Sequence, residues 1–281
     1  MDRRFPRWAR LPLRPVGPAG SDHVIFRLGD GLSVRLPRHE GAVGQAHKEA
    51  EWLPRPAPHL PLTVPTPVAV GEPAFGYPWP WAVSRWIDGE VATVEALGDS
   101  TETAVRLAGF LRALQSCAPP DASEADGRAD LTGEPLGDRD RDTRETIAAT
   151  GDRFGAKAMT RLWEAAIEAP GRDRPAVWFH GDLHTGNLLT TGGRIGAVID
   201  FGGLGTGDPA PDLTIAFTLM SPRSRHAFRT ALGFDDATWA RGRGWALATG
   251  LNAHTAYAAH AATSPRIAAR TTRQITQALI G

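Results

Sequence analysis

His180-Gly-Asp182-Leu-His184-Thr-Gly-Asn187-Leu-Leu189, followed by Ala197-Val-Ile-Asp200-Phe-Gly-Gly203, carries most of the architectural information in this chain. Leu188-Leu-Thr and Ile195-Gly-Ala-Val-Ile are apolar, strand-like runs, and Thr191-Gly-Gly-Arg194 between them reads as a hairpin turn. The turn folds the chain back on itself, so Asn187 and Asp200 meet at the open end of the hairpin. Asp182 lies five residues before Asn187, just beyond a third strand, Ala176-Val-Trp-Phe179. Two carboxylates and a carboxamide therefore converge on loops at strand ends, where functional groups concentrate.

Upstream, His23-Val-Ile-Phe-Arg-Leu and Leu32-Ser-Val-Arg-Leu read as two strands joined by Gly29-Asp30-Gly31, an antiparallel unit. Gly44 to Leu53 has helical composition and stops at Pro54; the proline-rich stretch to Pro80 is loop and edge structure; Trp81 to Ile87 is the next strand, closed by Asp88-Gly89. Beyond Glu90 the character turns helical. Ala104, Leu107, Ala108, Leu111 and Leu114 recur at three- and four-residue spacing and line one face of a helix over Ser100 to Gln115. Pro119 to Arg144 is polar and reads as a loop or insertion. Arg161 to Ala169, the run from Asp212, and Trp239 to His260 read as helices. The sum is an α+β chain, β first and α after, divided as an N-terminal lobe over 1–87 and a C-terminal lobe over 88–281 with a ligand cleft between them.

The 281 residues are 42% hydrophobic, ample for a buried core, and formal net charge is zero. A neutral chain lacks the basic field that nucleic acid or an anionic membrane surface requires, so the expected partner is a small molecule. No run of about 18 apolar residues occurs, and Met1-Asp-Arg-Arg-Phe-Pro-Arg-Trp has no apolar signal-peptide core, so the cytoplasm is the expected compartment. The single cysteine, Cys117, sits in helical context and reads as structural.

Phosphoryl transfer from a magnesium nucleotide needs a carboxylate facing the acceptor hydroxyl and hard oxygen ligands for the metal. Asp182 suits the first role, and Asn187 and Asp200 suit the second. His180, directly after a buried strand, reads as a hydrogen-bonded strut; His184 is open between a substrate contact and a structural one. A zinc site on His180-x-Asp182-x-His184 is an alternative by spacing, but it gives Asn187 and Asp200 no task.

The pattern His180-x-Asp182 with Asn187, then Asp200-Phe-Gly, then Gly207-Asp208-Pro-Ala-x-Asp212-Leu, resembles the aminoglycoside phosphotransferase family, which shares the two-lobed protein-kinase-like fold. The resemblance covers about residues 20 to 250 and is sharp from 177 to 213. It implies ATP (or GTP) and Mg2+ as cofactors, and as acceptor a hydroxylated small molecule, such as an aminoglycoside or macrolide antibiotic or a metabolite. Asp208 and Asp212 become supports of the site. The family also implies a basic residue on the third strand and a helix glutamate orienting it. The matching strand has no lysine; the chain contains only Lys48 and Lys157. Arg35 takes that place, with Glu49 as partner and Glu51 as alternate. The resemblance makes Gly20-Ser21-Asp22-His23 the phosphate-covering turn, with Ser21 as donor, and sets the base against backbone of Ser84, Arg85, Trp86 and Ile87, where Trp81 and Trp86 read as packing residues. The missing lysine leaves a nucleotide-binding protein without transfer activity as a rival reading. Acidic residues Asp121, Glu124, Asp126, Asp130 and Glu134 are candidates for meeting a polycationic acceptor, though a solvated loop reads as well.

Overall fold

The computed structural model describes residues 5–17, 22–120, 131–258 and 265–281. Five strands, β1 (Leu13–Val16), β2 (His23–Leu28), β3 (Leu32–Pro37), β4 (Pro67–Gly71) and β5 (Trp81–Arg85), form an antiparallel sheet in the order β1-β2-β3-β5-β4. The β2–β3 turn opens at Gly29, whose φ of +58° lies in the left-handed region that glycine enters without steric cost. Register pairs Phe26 with Val34 and Val34 with Val83. Alternation along the strands thus puts Phe26, Val34 and Val83 on one face, where they pack with Trp8, Leu28, Leu32 and Trp81. The opposite face carries Ile25, Ser33, Arg35, Ala82 and Ser84 and looks toward α1 (Gln45–Trp52), which packs against β4 and β5.

Leu13-Arg-Pro-Val16, whose proline hides any strand pattern in the sequence, is an edge strand. Pro15 is tolerated there because one side of an edge strand needs no donor. The proline-rich stretch does form edge structure as β4. It also reaches the second lobe: the Thr63 amide donates to Gly196 O at 3.0 Å, and the Val198 amide donates to Thr63 O at 2.9 Å.

Past Arg85 the chain makes β6 (Glu90–Val91), α2 (Val94–Leu97) and α3 (Thr101–Ser116). Ser100 caps α3 by accepting the Thr103 amide at 3.1 Å. The apolar stripe read from the sequence is fully buried at Ala104, Leu107, Ala108, Leu111 and Leu114. Then follow α4 (Asp140–Phe154), α5 (Ala156–Glu168), β7 (Val177–Phe179), β8 (Leu188–Thr191), β9 (Arg194–Val198), β10 (Gly205–Gly207), α6 (Thr214–Thr218), α7 (Pro222–Leu232), α8 (Asp236–Ala258) and α9 (Pro265–Ile280). The polar reading of 119–144 runs too far. Asp140 to Arg144 are the first turn of α4, whose polar residues face water while Thr143 and Ile147 are buried. α5 likewise starts five residues before the expected Arg161, because Lys157 and Thr160 on its outer face hid the periodicity set by Met159 and Trp163.

The larger core joins α3, α5, α6, α7 and α8 around Phe110, Trp163, Trp178, Phe201 and Phe217, and takes in Trp52, Leu53, Leu62 and Val64 from the N-terminal segment. Apolar packing therefore runs continuously from the N-terminal segment into the helical core. Cys117, half-buried at the end of α3, sends its thiol to Ala113 O, and burial pushes its pKa up, away from nucleophilic reactivity. No helix among the described residues is long and apolar enough to cross a membrane.

Candidate active site

The β8–β9 hairpin turns at Gly192 and Gly193, both with left-handed φ, and pairs Leu188 with Val198. One step beyond that pair, the Ile199 amide donates to Asn187 O at 2.9 Å, so Asn187 and Asp200 leave the open end of the hairpin side by side. Asn187 is 6% exposed, and its Nδ2 donates to Asp182 O at 2.8 Å and to Asp182 Oδ2 at 3.2 Å. Its Oδ1 accepts no hydrogen bond given among the described residues. Asp200 has φ +65°, one of two non-glycine residues in the left-handed region among the described residues. Such a conformation costs on the order of 1–3 kcal/mol and persists only where surrounding contacts fix it.

Arg35 supplies those contacts from β3. Nη1 lies 2.9 Å from both Glu49 oxygens, and Nη2 donates to Asp200 Oδ1 at 2.9 Å. The Glu49 side chain is 2% exposed and also accepts the Phe201 amide, which fastens α1 to the Asp200-Phe201 turn. Burial works against charge on Arg35, but the Glu49 and Asp200 carboxylates outweigh it and hold the guanidinium above its ordinary pKa. Burial pushes the Glu49 carboxyl up, with Arg35 pulling the other way. Glu49, not the alternate Glu51, is thus the partner of Arg35. His23, 5% exposed at the start of β2, is lowered to about 4 by burial and then by Arg35, and stays neutral.

Asp182 follows β7 with its side chain 59% exposed. Desolvation in the cleft raises its pKa, yet His184, then His180 and Arg270, bring it below the usual carboxylate range, so it is ionised at neutral pH. His180 is the strut its position suggested: fully buried, its Nε2 meets Ile199 O at 3.0 Å and its Nδ1 accepts the Asp182 amide at 3.2 Å. Both ring nitrogens serve backbone groups, which removes the zinc reading. Burial lowers its pKa, consistent with a neutral ring. His184 Nδ1 accepts the Gly186 amide at 2.9 Å, and its Nε2 lies 3.5 Å from Asp182 Oδ2.

Asp212 holds the loop from below. Its two oxygens accept the His180 amide at 2.9 Å and the Gly181 amide at 2.8 Å, and burial pushes its pKa up to about 7. Asp208 receives Arg241 Nε at 2.6 Å and the Ala210 amide at 3.2 Å. Gly181 has φ +84°, and a Cβ there would overlap the Gly203 carbonyl, so the crossing of the two loops requires glycine.

Of the other expected positions, Ser84 lies buried on the inner face of β5, and its Oγ is a buried hydroxyl with no hydrogen-bond partner among the described residues. A buried orphan of this kind suits a ligand donor or acceptor. The Arg85 and Trp86 amides are already taken, by Thr66 O and Gly31 O at 2.9 Å; Ile87 follows, half-buried. The Trp86 ring lies under the Arg27 guanidinium at 4.6 Å, and Trp81 packs on the outer apolar cluster. Ser21 lies outside the described residues, as do Asp121, Glu124, Asp126 and Asp130; Glu134 is engaged by Arg139 at 2.7 Å. Ser33 and Arg270 were not read from the sequence. Ser33 Oγ donates to Ser84 O at 3.3 Å, and Arg270 reaches His184 across 86 residues, a contact without local signal. A cavity of about 840 Å³ is lined by Gly181 and Gly203 but not by Asp182, Asn187 or Asp200, and is distinct from the carboxylate cluster.

The oxygen set of Asn187 and Asp200 fits a hard divalent cation such as Mg2+, since Asn187 Oδ1 and the second Asp200 oxygen are not taken up by the contacts above. A sequence model described as the phosphotransferase enzyme family, APH, matches residues 13–245. No curated protein matches the chain. Among solved structures, the GDP complex of aminoglycoside 2'-phosphotransferase-IIIa aligns with TM-score 0.74 at 17% identity, covering 99% of this chain and 96% of that one. The streptomycin–ATP ternary complex of APH(2")-IIa aligns with TM-score 0.64 at 15% identity, covering 96% of each chain. Macrolide 2'-phosphotransferase MphH from Brachybacterium faecium aligns with TM-score 0.61 at 24% identity, covering 95% of each.

Proposed function

This chain belongs to the phosphotransferase enzyme family, and from that premise we propose that it is a small-molecule kinase moving the γ-phosphoryl group of ATP or GTP to an acceptor hydroxyl. The observation that carries the reading is the convergence of an ionised, exposed Asp182 with Asn187 and Asp200 at the mouth of one hairpin. Asp182 accepts the proton of the attacking hydroxyl. A positioned general base contributes roughly 10²–10⁴-fold. Asn187 holds the Asp182 backbone and carboxylate in place through Nδ2 and offers Oδ1 to the metal; Asp200 offers its carboxylate. Bound there, Mg2+ supplies charge neutralisation across the phosphates.

Arg35 is the cation for the phosphate oxygens, with Glu49 as its orienting partner. Arginine delivers a fork of donors where lysine delivers one point charge, and here the fork spans Glu49 and Asp200 together. Ser84, Arg85, Trp86 and Ile87 form the rim for the base, and Ser21 belongs to the covering turn. Several structural neighbours were solved with GDP, ATP or an aminoglycoside, which supports the nucleotide side of this reading. We assign residues 1–87 to the nucleotide lobe and 88–281 to the lobe of the catalytic loop and acceptor.

A nucleotide-binding protein without transfer is the second reading, favoured by the missing strand lysine. Measuring nucleotide consumption with ATP and GTP across hydroxylated acceptors, for wild type and Asp182→Asn, separates the two. The kinase reading expects transfer that falls roughly 10²–10⁴-fold in the variant with nucleotide affinity retained. Binding without turnover by the wild type, or equal turnover in both proteins, rejects it.

A further inference from the structure

Antiparallel register orders the inner face of the N-terminal sheet outward from the Ser84 end. Ser33 stands opposite Ser84, Arg35 opposite both Ile25 and Ala82, and Pro37 opposite His23. Side chains alternate along a strand, so His23, two residues before Ile25, shares the inner face with Arg35 and lies diagonally across the ladder from it. Each two-residue step advances about 6.6 Å along a strand. Away from the rim at Ser84, the polar groups on this face are therefore Ser33 and Ser84, then Arg35, then His23. The His23 side chain is 5% exposed, and its ring makes no hydrogen bond with a described residue. The charges it feels are those of Arg35 and Asp200, then Asp22 and His39. His180, also buried, differs: both of its ring nitrogens meet backbone groups.

An imidazole that only packs is satisfied as His180 is, because a polar ring taken out of water without partners is costly. His23 has a ring N–H to give, and it stands one step beyond the cation assigned to the phosphates. A polyphosphate that starts at the Ser84 rim and passes Arg35 toward Asp200 has its far end there. Resting on the assignment of Arg35 as the phosphate cation, we propose that His23 is a ligand of the terminal phosphoryl group, donating a ring N–H to one of its oxygens, and that this contact makes the site prefer a nucleoside triphosphate over the diphosphate. A hydrogen bond to an anionic oxygen is of the stronger, charge-assisted kind. Burial and Arg35 keep the ring neutral, so it adds a donor without a second full positive charge that would hold the diphosphate as well. The diphosphate ends short of His23, and the contact therefore favours replacement of product by substrate.

The test is calorimetric titration of the full chain in Mg2+ with the diphosphates and the non-hydrolysable triphosphate analogues of adenosine and guanosine, for wild type, His23→Leu and His23→Asn. Leucine fills the space without a donor, and asparagine keeps one. The wild type is expected to bind the triphosphate analogue more tightly than the diphosphate. His23→Leu loses about tenfold or more of the triphosphate affinity, the scale of one hydrogen bond to a charged group, with diphosphate affinity as in wild type; His23→Asn keeps part of the preference. A readout free of any core substitution is the nitrogen NMR spectrum of the histidine rings in the wild type. There the His23 signal, identified by its absence from His23→Asn, moves further with the triphosphate analogue than with the diphosphate. Equal losses of both nucleotides in His23→Leu, an unchanged triphosphate affinity, or a ring signal indifferent to the triphosphate overturns the proposal and leaves His23 a packing role. If His23→Leu does not fold, the ring signal decides alone. A wild type that binds neither nucleotide is a separate result: it rejects the nucleotide site itself, and this assignment with it.

Discussion

Replacing Arg35 with alanine isolates the interaction that joins the two lobes at the site. The substitution removes the guanidinium shared by Glu49 and Asp200 and leaves the Glu49 side chain, 2% exposed, with the Phe201 amide as its remaining described hydrogen-bond partner. Breaking a buried ion pair from one side costs about 3–5 kcal/mol, because an uncompensated charge stays behind. Glu49→Gln in the same background removes that charge, so the double variant should lose less than the sum of the single losses, with a coupling of about 1–3 kcal/mol. Denaturant unfolding followed by tryptophan fluorescence, with nine tryptophans as reporters, reads this as a lower midpoint at unchanged slope. The pH dependence follows from the sign of the shift. Burial already raises the folded pKa of Glu49 above its ordinary 4.5, and losing Arg35 raises it further. Stability from a raised carboxyl is complete below the unfolded pKa and is lost as pH climbs through the folded one. The deficit of Arg35→Ala should therefore be smallest near pH 4 and widen toward neutrality. A deficit under about 1 kcal/mol at pH 7, the range of exposed pairs, or one that narrows as pH rises, would refute the argument.

Four further outcomes follow from the same contacts. Asp212, raised by burial to about 7 from 3.8, contributes stability that is complete below about pH 4 and declines as pH rises through 7; Asp212→Asn should flatten that slope in unfolding measured from pH 4 to 8. The same variant turns an amide nitrogen toward the His180 or Gly181 N–H, a mismatch of about 1–3 kcal/mol. His23, lowered to about 4 from 6.5, contributes stability present above pH 6.5 and lost as pH falls through 4, and His23→Gln should remove this acid sensitivity. Gly181→Ala forces a side chain into the left-handed region and against Gly203, so loss of soluble protein or a melting temperature lower by several degrees is expected, and a wild-type melting curve contradicts the crossing described. Asp200→Ala should weaken Mg2+-dependent nucleotide binding in a calorimetric titration, and an affinity equal to wild type with and without Mg2+ argues against its metal role.

The sequence made the centre of the site legible because its determinants are local. Gly192-Gly193 fixes the hairpin, and the hairpin fixes the meeting of Asn187 and Asp200. Arg35 and Glu49 were reachable for a different reason: the family resemblance supplied a strand and a helix, and burial of Glu49 then chose it over Glu51. The fold was legible where periodicity was strong, as in α3. It failed at β1, where Pro15 masks an edge strand, and at α4, whose outward face is so polar that only Thr143 and Ile147 mark the core. Arg270 gave no signal at all. Its contact with His184 is created by the packing of α9 against α6 and α8, and no spacing in the chain encodes it.

The central claim is that Asp182, Asn187, Asp200 and Arg35 serve a single triphosphate, and the most direct measurement is a crystal structure of the protein with Mg2+ and a non-hydrolysable nucleotide analogue. The account predicts a cation about 2.1 Å from Asn187 Oδ1 and an Asp200 oxygen, phosphates against Arg35, and the Asp182 carboxylate facing the terminal phosphoryl group. An analogue seated in the cavity beside Gly181 and Gly203, or a cation held without Asn187 and Asp200, would contradict it.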